Sequence, residues 1–338
     1  MNVIASAPAK AILLGEHSVN RGQSALAVSV GLRVRCTLSL SDEVSYRFIS
    51  GEETQTATAD EIRQLARRVD SWREAQNFEA IRNLARTDYF GPVKYIIAHA
   101  FGEEMPAGLS VRWESEIPSA GGLGSGGTSF VALATVLAEV CARPNNIGAW
   151  AYLGDVIAHG GVASALDTQT SLHGGVIRYT RERWGKSIPF DRGLALVIGN
   201  TRLRGQTSEV NTRVRQWLEA DATRMRYFEM IGVLSAAALE PLVQGDWPQL
   251  GKLLNLNQLV LEKIGVSSPE LEALNRAALS AGAFGAKLSG SGGGGIMLAL
   301  VAPETQAAVA DAIQQAGGEV LLPDVAVDGA RVEQVKED

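Results

Sequence analysis

Two glycine-rich segments contain the residues of this sequence whose types and spacing are best suited to binding an anion. The first, EIPSAGGLGSGGTSF at 116–130, is followed at once by VALATVLAEV, whose apolar pattern predicts a helix. A helix N-terminus presents unpaired N–H groups and the positive end of the helix dipole, and glycines let a ligand approach the backbone. The segment can therefore bind a phosphate, although a tight turn that serves packing alone is equally compatible with an isolated loop of this kind.

The second segment, SGSGGGG at 289–295, lies between two stretches with strand patterning. It holds more glycine than an ordinary hairpin needs, since one or two glycines suffice there. It is either a flexible turn or a stretch of bare backbone that packs beneath a phosphate chain or a substrate. Two such segments in one chain favour the second interpretation for both.

Two common phosphate-binding loops do not fit the first segment. A Walker A loop ends in Gly-Lys-Ser/Thr, and GSGGTS contains no lysine. GLGSGG at 122–127 satisfies GxGxxG, but the strand before it, LSVRWESEI, alternates apolar and polar residues. The first strand of a dinucleotide-binding fold is buried on both faces and reads as a continuous apolar run.

The composition is typical of a soluble globular protein and argues against two classes of partner. The 338 residues carry a net charge of −6, which argues against nucleic acid or an anionic membrane as the main partner. No uninterrupted apolar run reaches the length of about 18 residues that a membrane span needs, and the first residues do not resemble a signal peptide. Cys36 and Cys141 form no CxxC pair. We therefore expect a reduced cytoplasmic protein.

The remaining patterns predict an α+β protein with two domains. Residues 26–40, 44–50 and 109–117 alternate with period two, as half-buried antiparallel strands do, and 59–104 carry helical patterning. The second half combines buried-strand patterns with further helices, which we predict at about 127–142, 146–159, 205–219, 222–242, 246–263 and 268–281. We place the boundary in the polar stretch RERWGKSIPFDRG, giving domains 1–185 and 186–338.

Four segments together resemble the motifs of the GHMP kinases in order and spacing. They are APAKAILLGEHSVNRGQSALAVSV at 7–30, the first glycine segment, SALDTQTSLHGGVIRY at 164–179, and AKLSGSGGGGIML at 286–298. Within that superfamily, PAKAILLGEHSVNRG and the pattern Asp-x-x-x-Ser-x-x-Gly-Gly at 167–175 are most similar to the mevalonate kinases.

The resemblance implies a fold and a reaction. The fold would be the two-domain GHMP kinase fold, with mixed and antiparallel sheets and a ferredoxin-like C-terminal domain. The reaction would be phosphorylation of mevalonate to 5-phosphomevalonate with ATP and Mg²⁺, and a homodimer is a further expectation at the level of the family. Two alternatives remain open: another GHMP kinase acting on phosphomevalonate or on the 3-hydroxyl of mevalonate, and a nucleotide-binding protein of this fold with impaired catalysis.

The catalytic roles implied by the resemblance fall on Asp167 and Lys10. From the residues alone, Asp167 is a helix cap or a turn residue, and Lys10 reaches solvent from a strand edge. The resemblance implies instead that Asp167 accepts or orients the proton of the substrate hydroxyl and that Lys10 lies beside it.

The binding roles implied by the resemblance fall on the other motif residues. Glu16 and His17, otherwise a solvated or partly buried turn pair, would bind the substrate. The full substrate-binding set is Glu16, His17, Ser164, Gly290, Ser291 and Gly292. The ATP-binding set is Pro118, Ala120, Gly121, Gly122, Leu123, Gly124, Ser125, Gly126, Gly127 and Thr128. Among the other histidines, we interpret His99 and His159 as structural, and His173 is close enough in sequence to the site to shape the pocket. Arg202 and Arg204 could bind a phosphate or a carboxylate, but we interpret them as residues of a solvated loop.

Both expected magnesium ligands are missing from the sequence. Mevalonate kinases commonly have Ser where this chain has Gly126, and Glu where it has Val156. The ion would then be held mainly by ATP and water, or by Asp155, Thr128 or Ser129. Residues 52–90 are a second departure, which we interpret as an insertion forming an exposed lid, a surface elaboration or an oligomer contact.

Overall fold

A computed structural model describes residues 1–118, 122–180, 185–203, 205 and 207–336. The strands in this part of the chain are β1 (Asn2–Leu14), β2 (Ala25–Ser41), β3 (Tyr46–Ser50), β4 (Glu53–Ala57), β5 (Gly108–Ser115), β6 (Val176–Tyr179), β7 (Lys186–Ile188), β8 (Ala195–Asn200), β9 (Gly285–Ser289), β10 (Ile296–Val301), β11 (Glu319–Leu321) and β12 (Arg331–Lys336). The α-helices are α1 (Ala59–Glu74), α2 (Phe78–Thr87), α3 (Gly91–Phe101), α4 (Ser125–Val140), α5 (Ile147–Ala158), α6 (Leu166–His173), α7 (Thr207–Glu219), α8 (Met225–Ala237), α9 (Leu239–Gln244), α10 (Trp247–Ile264), α11 (Pro269–Ser280) and α12 (Gln306–Gln315).

The larger sheet has eight strands among the described residues, in the order β12-β1-β2-β5-β3-β4, with β6 paired to β2 and β7 to β6. All its pairs are antiparallel except β3 with β5, which run parallel. The prediction that residues 44–50 pair only in an antiparallel manner is therefore wrong. Because β4 and three helices lie between β3 and β5 in the chain, the connection is long enough for the crossover that parallel strands require.

The smaller sheet is antiparallel, with the order β11-β8-β10-β9 in the described chain. Numbered along the chain, its strands stand in the order four-one-three-two, and helices connect the first strand to the second and the third to the fourth. This is the arrangement of a ferredoxin-like domain, so that prediction is confirmed, as is the α+β class with mixed sheets.

Helix α4 is the central packing element beneath the larger sheet. Val131, Leu133, Val136 and Leu137 are fully buried, and the sequence is apolar around nearly the whole helix. A helix that is apolar on all sides must be buried, and α4 packs against β1, β2 and α5. This packing fixes the position of its N-terminus, where the first glycine segment ends.

The last described residues return to the larger sheet. The Ala326 N–H donates to Ser29 O at 2.8 Å, the Gly175 N–H donates to Val327 O at 2.9 Å, and β12 then pairs with β1. The predicted division into 1–185 and 186–338 stays a prediction, because residues 181–184 of the boundary stretch lie outside the described residues. Strand β12, assigned by that prediction to the second domain, is hydrogen-bonded into the sheet of the first.

The segment 52–90 forms part of the core. Helices α1 and α2 bury Ile62, Val69, Ile81 and Leu84 against the rest of the larger unit, and α1 begins with a capping box between Thr58 and Glu61. An amphipathic helix with one buried face is held by its packing, so this segment does not form the exposed lid considered above. Within the described residues, no helix combines the length and the apolar character needed to cross a membrane.

Candidate active site

A cavity of about 640 Å³ lies between the two glycine segments. Many of the predicted residues converge on it from β1, α4, α5, α6 and the loop between β9 and β10. The predicted residues that line it are Lys10, Glu16, His17, Gly122, Gly124, Ser125, Gly126, Gly127, Asp155, Ser164, Asp167, Gly290, Ser291 and Gly292. Pro118, Leu123, Thr128, Ser129 and Val156 are not part of its lining, and Ala120 and Gly121 lie outside the described residues.

Gly124 explains why the first segment contains so few side chains. It is the N-cap of α4 with φ +75°, a left-handed conformation that suits glycine, and no side chain caps the helix. A Cβ at this position would lie 2.7 Å from Lys10 Cε and 3.2 Å from Asp167 Oδ2. The bend therefore packs directly on these two side chains while the start of the helix lines the cavity.

Lys10 and Asp167 form an ion pair at this bend. Strand β1 carries Lys10 and the first turn of α6 carries Asp167, with 3.2 Å between Lys10 Nζ and Asp167 Oδ1. The Lys10 side chain is only 3 % exposed, whereas that of Asp167 is 27 % exposed. Lys10 therefore does not extend into solvent, and Asp167 is accessible from the cavity. The N-cap of α6 is Ala165, so Asp167 is not the cap.

His17 contacts the second glycine segment as a neutral imidazole. It adopts φ 60°, and its Nε2 lies 2.9 Å from Ser291 O. Burial lowers the pKa of His17 to about 4, so the ring carries one proton at neutral pH. Because Nε2 must donate that proton to the carbonyl oxygen, Nδ1 is left as a hydrogen-bond acceptor.

Glu16, the preceding residue, forms a second ion pair with Lys287 of β9. Both side chains are completely buried, and Lys287 Nζ donates to Glu16 Oε1 and to Leu288 O. Burial raises the pKa of the Glu16 carboxyl, and the charge of Lys287 opposes that shift. The pair joins the larger sheet to the smaller one at the cavity wall.

Asp155 and His159 form a third pair, on the last turn of α5 and the residue that follows the helix. His159 Nδ1 lies 3.1 Å from Asp155 Oδ1 and 2.9 Å from the Asp155 backbone oxygen. The Asp155 charge raises the pKa of His159 to about 9, with a smaller contribution from Asp167, so the imidazole is protonated at neutral pH. The Asp155 side chain is 4 % exposed and that of His159 44 %, and both residues line the cavity.

The second glycine segment is a packed loop rather than a flexible turn. A Cβ at Gly292, where φ is +77°, would lie 2.1 Å from Val266 O. The segment also touches the first one, since a Cβ at Gly122 would lie 2.8 Å from Ser289 O. The cavity is therefore bounded on this side by backbone.

Sequence reasoning missed Lys287 and several lining residues, among them His159, Thr207 and Asn211. His159 was interpreted as structural, although its i,i+4 spacing from Asp155 on a predicted helix is a signal for an ion pair. Thr207 and Asn211 of α7 also line the cavity, with 3.0 Å between Thr207 Oγ1 and Ser291 Oγ, and no motif indicated them. Lys287 lies inside a quoted motif, but only the fold brings it to Glu16.

The other side chains considered in the sequence do not line the cavity over the described residues. His99 Nδ1 lies 3.0 Å from Tyr95 O, and His173 Nε2 lies 3.2 Å from Gln169 Oε1. Arg202 forms an exposed ion pair with Glu319, in agreement with its interpretation as a residue of a solvated loop. Arg204 lies outside the described residues.

Of the three candidate metal ligands, Asp155 alone lines the cavity. Thr128 is buried, with 3.0 Å between its Oγ1 and Ser171 Oγ, and Ser129 Oγ donates to Ser125 O at 2.8 Å. Asp155 Oδ1 already lies 3.1 Å from His159 Nδ1, so a metal ion bound here would share the carboxylate with that ring. In the described part of the chain, no group of three or more His, Cys, Asp or Glu side chains is arranged so that it could hold a metal ion.

Comparisons with known proteins identify relatives of this chain. Residues 89–175 match the model of the GHMP kinases N terminal domain, and residues 238–319 match that of the GHMP kinases C terminal. The chain is 32 % identical to the mevalonate kinase of Thermococcus gammatolerans and 32 % identical to that of Pyrococcus abyssi, covering 99 % of each chain in both cases.

Solved structures show the same fold. The crystal structure of the Methanococcus jannaschii mevalonate kinase superposes with a TM-score of 0.79 at 20 % identity, covering 96 % of this chain and 98 % of that one. The L. major mevalonate kinase in complex with R-mevalonate superposes with a TM-score of 0.73 at 24 % identity, covering 97 % of this chain and 96 % of that one.

Proposed function

Since the chain belongs to the mevalonate kinase family of the GHMP kinases, and is thus an ATP-dependent small-molecule kinase, we propose that it transfers the γ-phosphoryl group of ATP to the 5-hydroxyl group of (R)-mevalonate. The products are 5-phosphomevalonate, ADP and a proton. The observation that carries this proposal is the Lys10–Asp167 pair, which lies against Gly124 at the start of α4 and lines the cavity together with it.

The triphosphate of ATP binds at the N-terminus of α4. Backbone N–H groups and the helix dipole favour an anion there, and Gly124, Ser125, Gly126 and Gly127 leave the backbone accessible. The loop at 290–295 bounds the other side of the cavity. Transfer of a phosphoryl group needs little covalent chemistry from a protein, so this positioning is a large part of catalysis.

Asp167 and Lys10 act on the reacting hydroxyl group. The carboxylate of Asp167 accepts its proton as the alcohol oxygen forms a bond to the γ-phosphorus and the bond to the ADP oxygen breaks. The ammonium group of Lys10, 3.2 Å from Asp167, stabilises the negative charge that develops on the alcohol and the transferring group. The low exposure of Lys10 strengthens that interaction because little water screens it.

The acceptor alcohol occupies the part of the cavity near Glu16, His17, Ser164 and Ser291. The Nδ1 atom of His17 offers a hydrogen-bond acceptor for a hydroxyl group. Ile12, Val19 and Leu166 also line the cavity and are buried, so they provide an apolar surface for the carbon chain and methyl group of mevalonate.

The residues present fit a magnesium ion bound through one protein carboxylate. Asp155 supplies a carboxylate at the cavity wall, where His159 Nδ1 is its partner at 3.1 Å from Oδ1, and Mg²⁺ commonly uses one or two carboxylates with phosphate oxygens and water. When bound, the ion neutralises charge on the phosphates. Asp155 takes this role because it lines the cavity, whereas the neighbouring Val156 does not.

The proposal also includes a cytoplasmic location and, from the resemblance, a homodimer. Size-exclusion chromatography with light scattering measures the oligomeric state.

The substrate assignment is tested with a panel of alcohols. The protein is incubated with ATP, Mg²⁺ and mevalonate, phosphomevalonate, galactose or homoserine, and ADP release is followed. The position of the new phosphate is read by ³¹P NMR, because a 5-phosphate couples to two protons on its carbon and a phosphate on the tertiary C3 does not. Turnover of mevalonate with a coupled ³¹P signal supports the proposal.

Other outcomes contradict it in distinct ways. Turnover of phosphomevalonate alone assigns the next kinase reaction, and an uncoupled signal assigns the 3-hydroxyl group. ATP binding with no turnover of any alcohol assigns a protein with impaired catalysis.

A further inference from the structure

Lys287 is a completely buried lysine with no role in the mechanism above; burial lowers its pKa, and the charge of Glu16 opposes that shift. It lies in β9 of the smaller sheet, whereas its partner Glu16 follows β1 of the larger sheet. Lys287 donates to Glu16 Oε1 and to Leu288 O. The pair therefore crosses between the two sheets directly behind the cavity wall.

The second carboxyl oxygen of Glu16, Oε2, indicates what the pair does. Oε2 is buried and accepts no hydrogen bond from any described residue, although Glu16 lines the cavity. A buried polar atom without a partner is unfavourable, and such atoms in native proteins commonly serve a ligand or a water molecule. An ion pair whose charges are both removed from water is also a poor source of stability compared with apolar residues of similar volume.

We propose that Lys287 is a positioning residue for the acceptor alcohol, which it affects through Glu16 alone. By binding Oε1 it holds the Glu16 carboxyl in one orientation, so that Oε2, which has no partner among the described residues, is left as the acceptor for a hydroxyl group of the substrate. The inference rests on the proposed function only in that the ligand is an alcohol, and it holds for any alcohol that the enzyme phosphorylates.

The charge of Lys287 is necessary because burial favours the neutral acid. Burial raises the pKa of Glu16, and the charges of Lys287 and, more weakly, Lys10 oppose this shift. Without Lys287, the largest of the contributions that oppose this shift is lost and the orientation of Glu16 is no longer fixed. A neutral carboxyl is a weaker hydrogen-bond acceptor than a carboxylate.

The test is a double-mutant cycle with Lys287→Met, Glu16→Gln and the double variant. We measure the KM for the alcohol, the KM for ATP and thermal unfolding. Since a hydrogen bond to a charged group is lost, each single variant should raise the alcohol KM about 10-fold or more, with the ATP KM changed less than about 2-fold. The double variant should show the KM of Glu16→Gln alone, because Lys287 has no other route to the substrate.

Thermal stability should follow a different pattern. Each single variant leaves one buried charge without its partner and is destabilised, whereas the double variant recovers stability because both charges are removed. If Lys287→Met does not fold, the inference is tested by comparing Glu16→Gln with the double variant. Their alcohol KM values should be equal, and different values would overturn the inference.

Lys94→Met is the matched control. Lys94 is a buried lysine whose Nζ lies 2.9 Å from Asp88 Oδ2, and neither residue lines the cavity. This variant should lose stability without any change in the alcohol KM.

An alcohol KM in Lys287→Met equal to that of the wild type would overturn the inference. Multiplication of the two single effects in the double variant, or an equal rise in both KM values, would overturn it too. If mevalonate is not phosphorylated but another alcohol is, the proposed function fails while this test proceeds with that alcohol. If calorimetry finds no alcohol that binds, both proposals are wrong.

Discussion

The two walls of the cavity differ in charge. The wall built from the first half of the chain contains ionisable side chains, and the wall built from the second half is uncharged over its described residues. The ionisable residues of the first wall are Lys10, Glu16, His17, Asp155, His159 and Asp167. The described residues of the second wall are Gly205, Thr207, Asn211, Ser289, Gly290, Ser291, Gly292, Gly294 and Gly295.

This difference indicates that the first wall supplies the reacting and binding groups, whereas the second wall sets the shape of the cavity. On the first wall each charged side chain has a partner, because Lys10 pairs with Asp167, Asp155 with His159 and Glu16 with Lys287 of β9. A substitution there changes a reacting or binding group. On the second wall, glycines occur where a Cβ would enter neighbouring backbone, as at Gly292 against Val266 O. A substitution there should change folding more than chemistry, and the following experiments test that contrast.

Asp167→Asn should have the largest effect. An amide cannot accept the hydroxyl proton, so kcat should fall by about 10²–10⁴-fold, while ATP affinity stays near that of the wild type. Steady-state kinetics and ATP titration measure the two quantities. Ordinary turnover by this variant would remove Asp167 from its role.

Gly124→Val should come next, because it introduces a side chain between the bend and the ion pair. A Cβ there would lie 2.7 Å from Lys10 Cε, and displacing reacting groups by about 1 Å can cost on the order of 10²-fold in rate. We expect both ATP affinity and kcat to fall. Unchanged ATP affinity would count against phosphate binding at this bend.

Gly292→Ala should act on stability. Alanine at φ +77° is strained, and its Cβ would meet Val266 O, so the free energy of unfolding should fall by about 2 kcal/mol or more. Denaturant unfolding measures the loss, and the kcat of the folded fraction should change far less than in Asp167→Asn.

Gly193→Ala is the matched control for Gly292→Ala, since its Cβ would have no neighbour within 4 Å. A stable Gly292→Ala variant with the kcat of Asp167→Asn would mean that the second wall takes part in the chemistry.

His159→Gln should show a smaller, pH-dependent effect on stability. The pKa of His159 is about 9 in the folded protein, against an ordinary value of about 6.5. The protonated form is favoured by folding, so its stabilisation is complete below about pH 6.5 and is lost as the pH rises through about 9.

The stability difference between wild type and His159→Gln should therefore narrow from about pH 6 to about pH 10. The effect is modest because the side chain is 44 % exposed and solvent screens the pair. Unfolding curves at several pH values measure it, and a difference that does not vary with pH would contradict the assigned charge.

Gly126→Ser should have the smallest effect on the fold. The nearest atom to a Cβ there is Phe130 Cε2 at 4.0 Å, so the free energy of unfolding should change by less than about 0.5 kcal/mol. The added hydroxyl should lower the magnesium concentration needed for half-maximal rate. An identical magnesium titration would place the ion away from Gly126.

Local motifs made one part of the site predictable. Lys10, Gly124 and Asp167 stand in short segments whose residue types are dictated by the chemistry or by close packing, so their pattern is visible in sequence. The same holds for α4, whose apolar character extends around the helix and can only be buried.

Partners distant in the chain were not predictable. The pairing of Glu16 with Lys287, the parallel alignment of β3 with β5 and the return of β12 to β1 each join segments that the sequence separates. The place of Asp155 is an intermediate case, because one residue on a helix turns a side chain by about 100° and only the packing of α5 decides which side chain lines the cavity.

Residues 326–336, which return to the larger sheet, are synthesised last, and this order affects when the enzyme becomes active. Gly295 is the last described residue of the cavity lining, yet Ser29, Leu172 and Gly175 receive their backbone partners from residues 326–330. A nascent chain on the ribosome thus contains every described residue of the cavity lining before it contains residues 326–330 and β12, which hydrogen-bond to β2, α6 and β1. The enzyme should gain activity only once these late residues have left the exit tunnel, and a nonsense codon near position 322 should yield a chain with all its motifs and little catalysis.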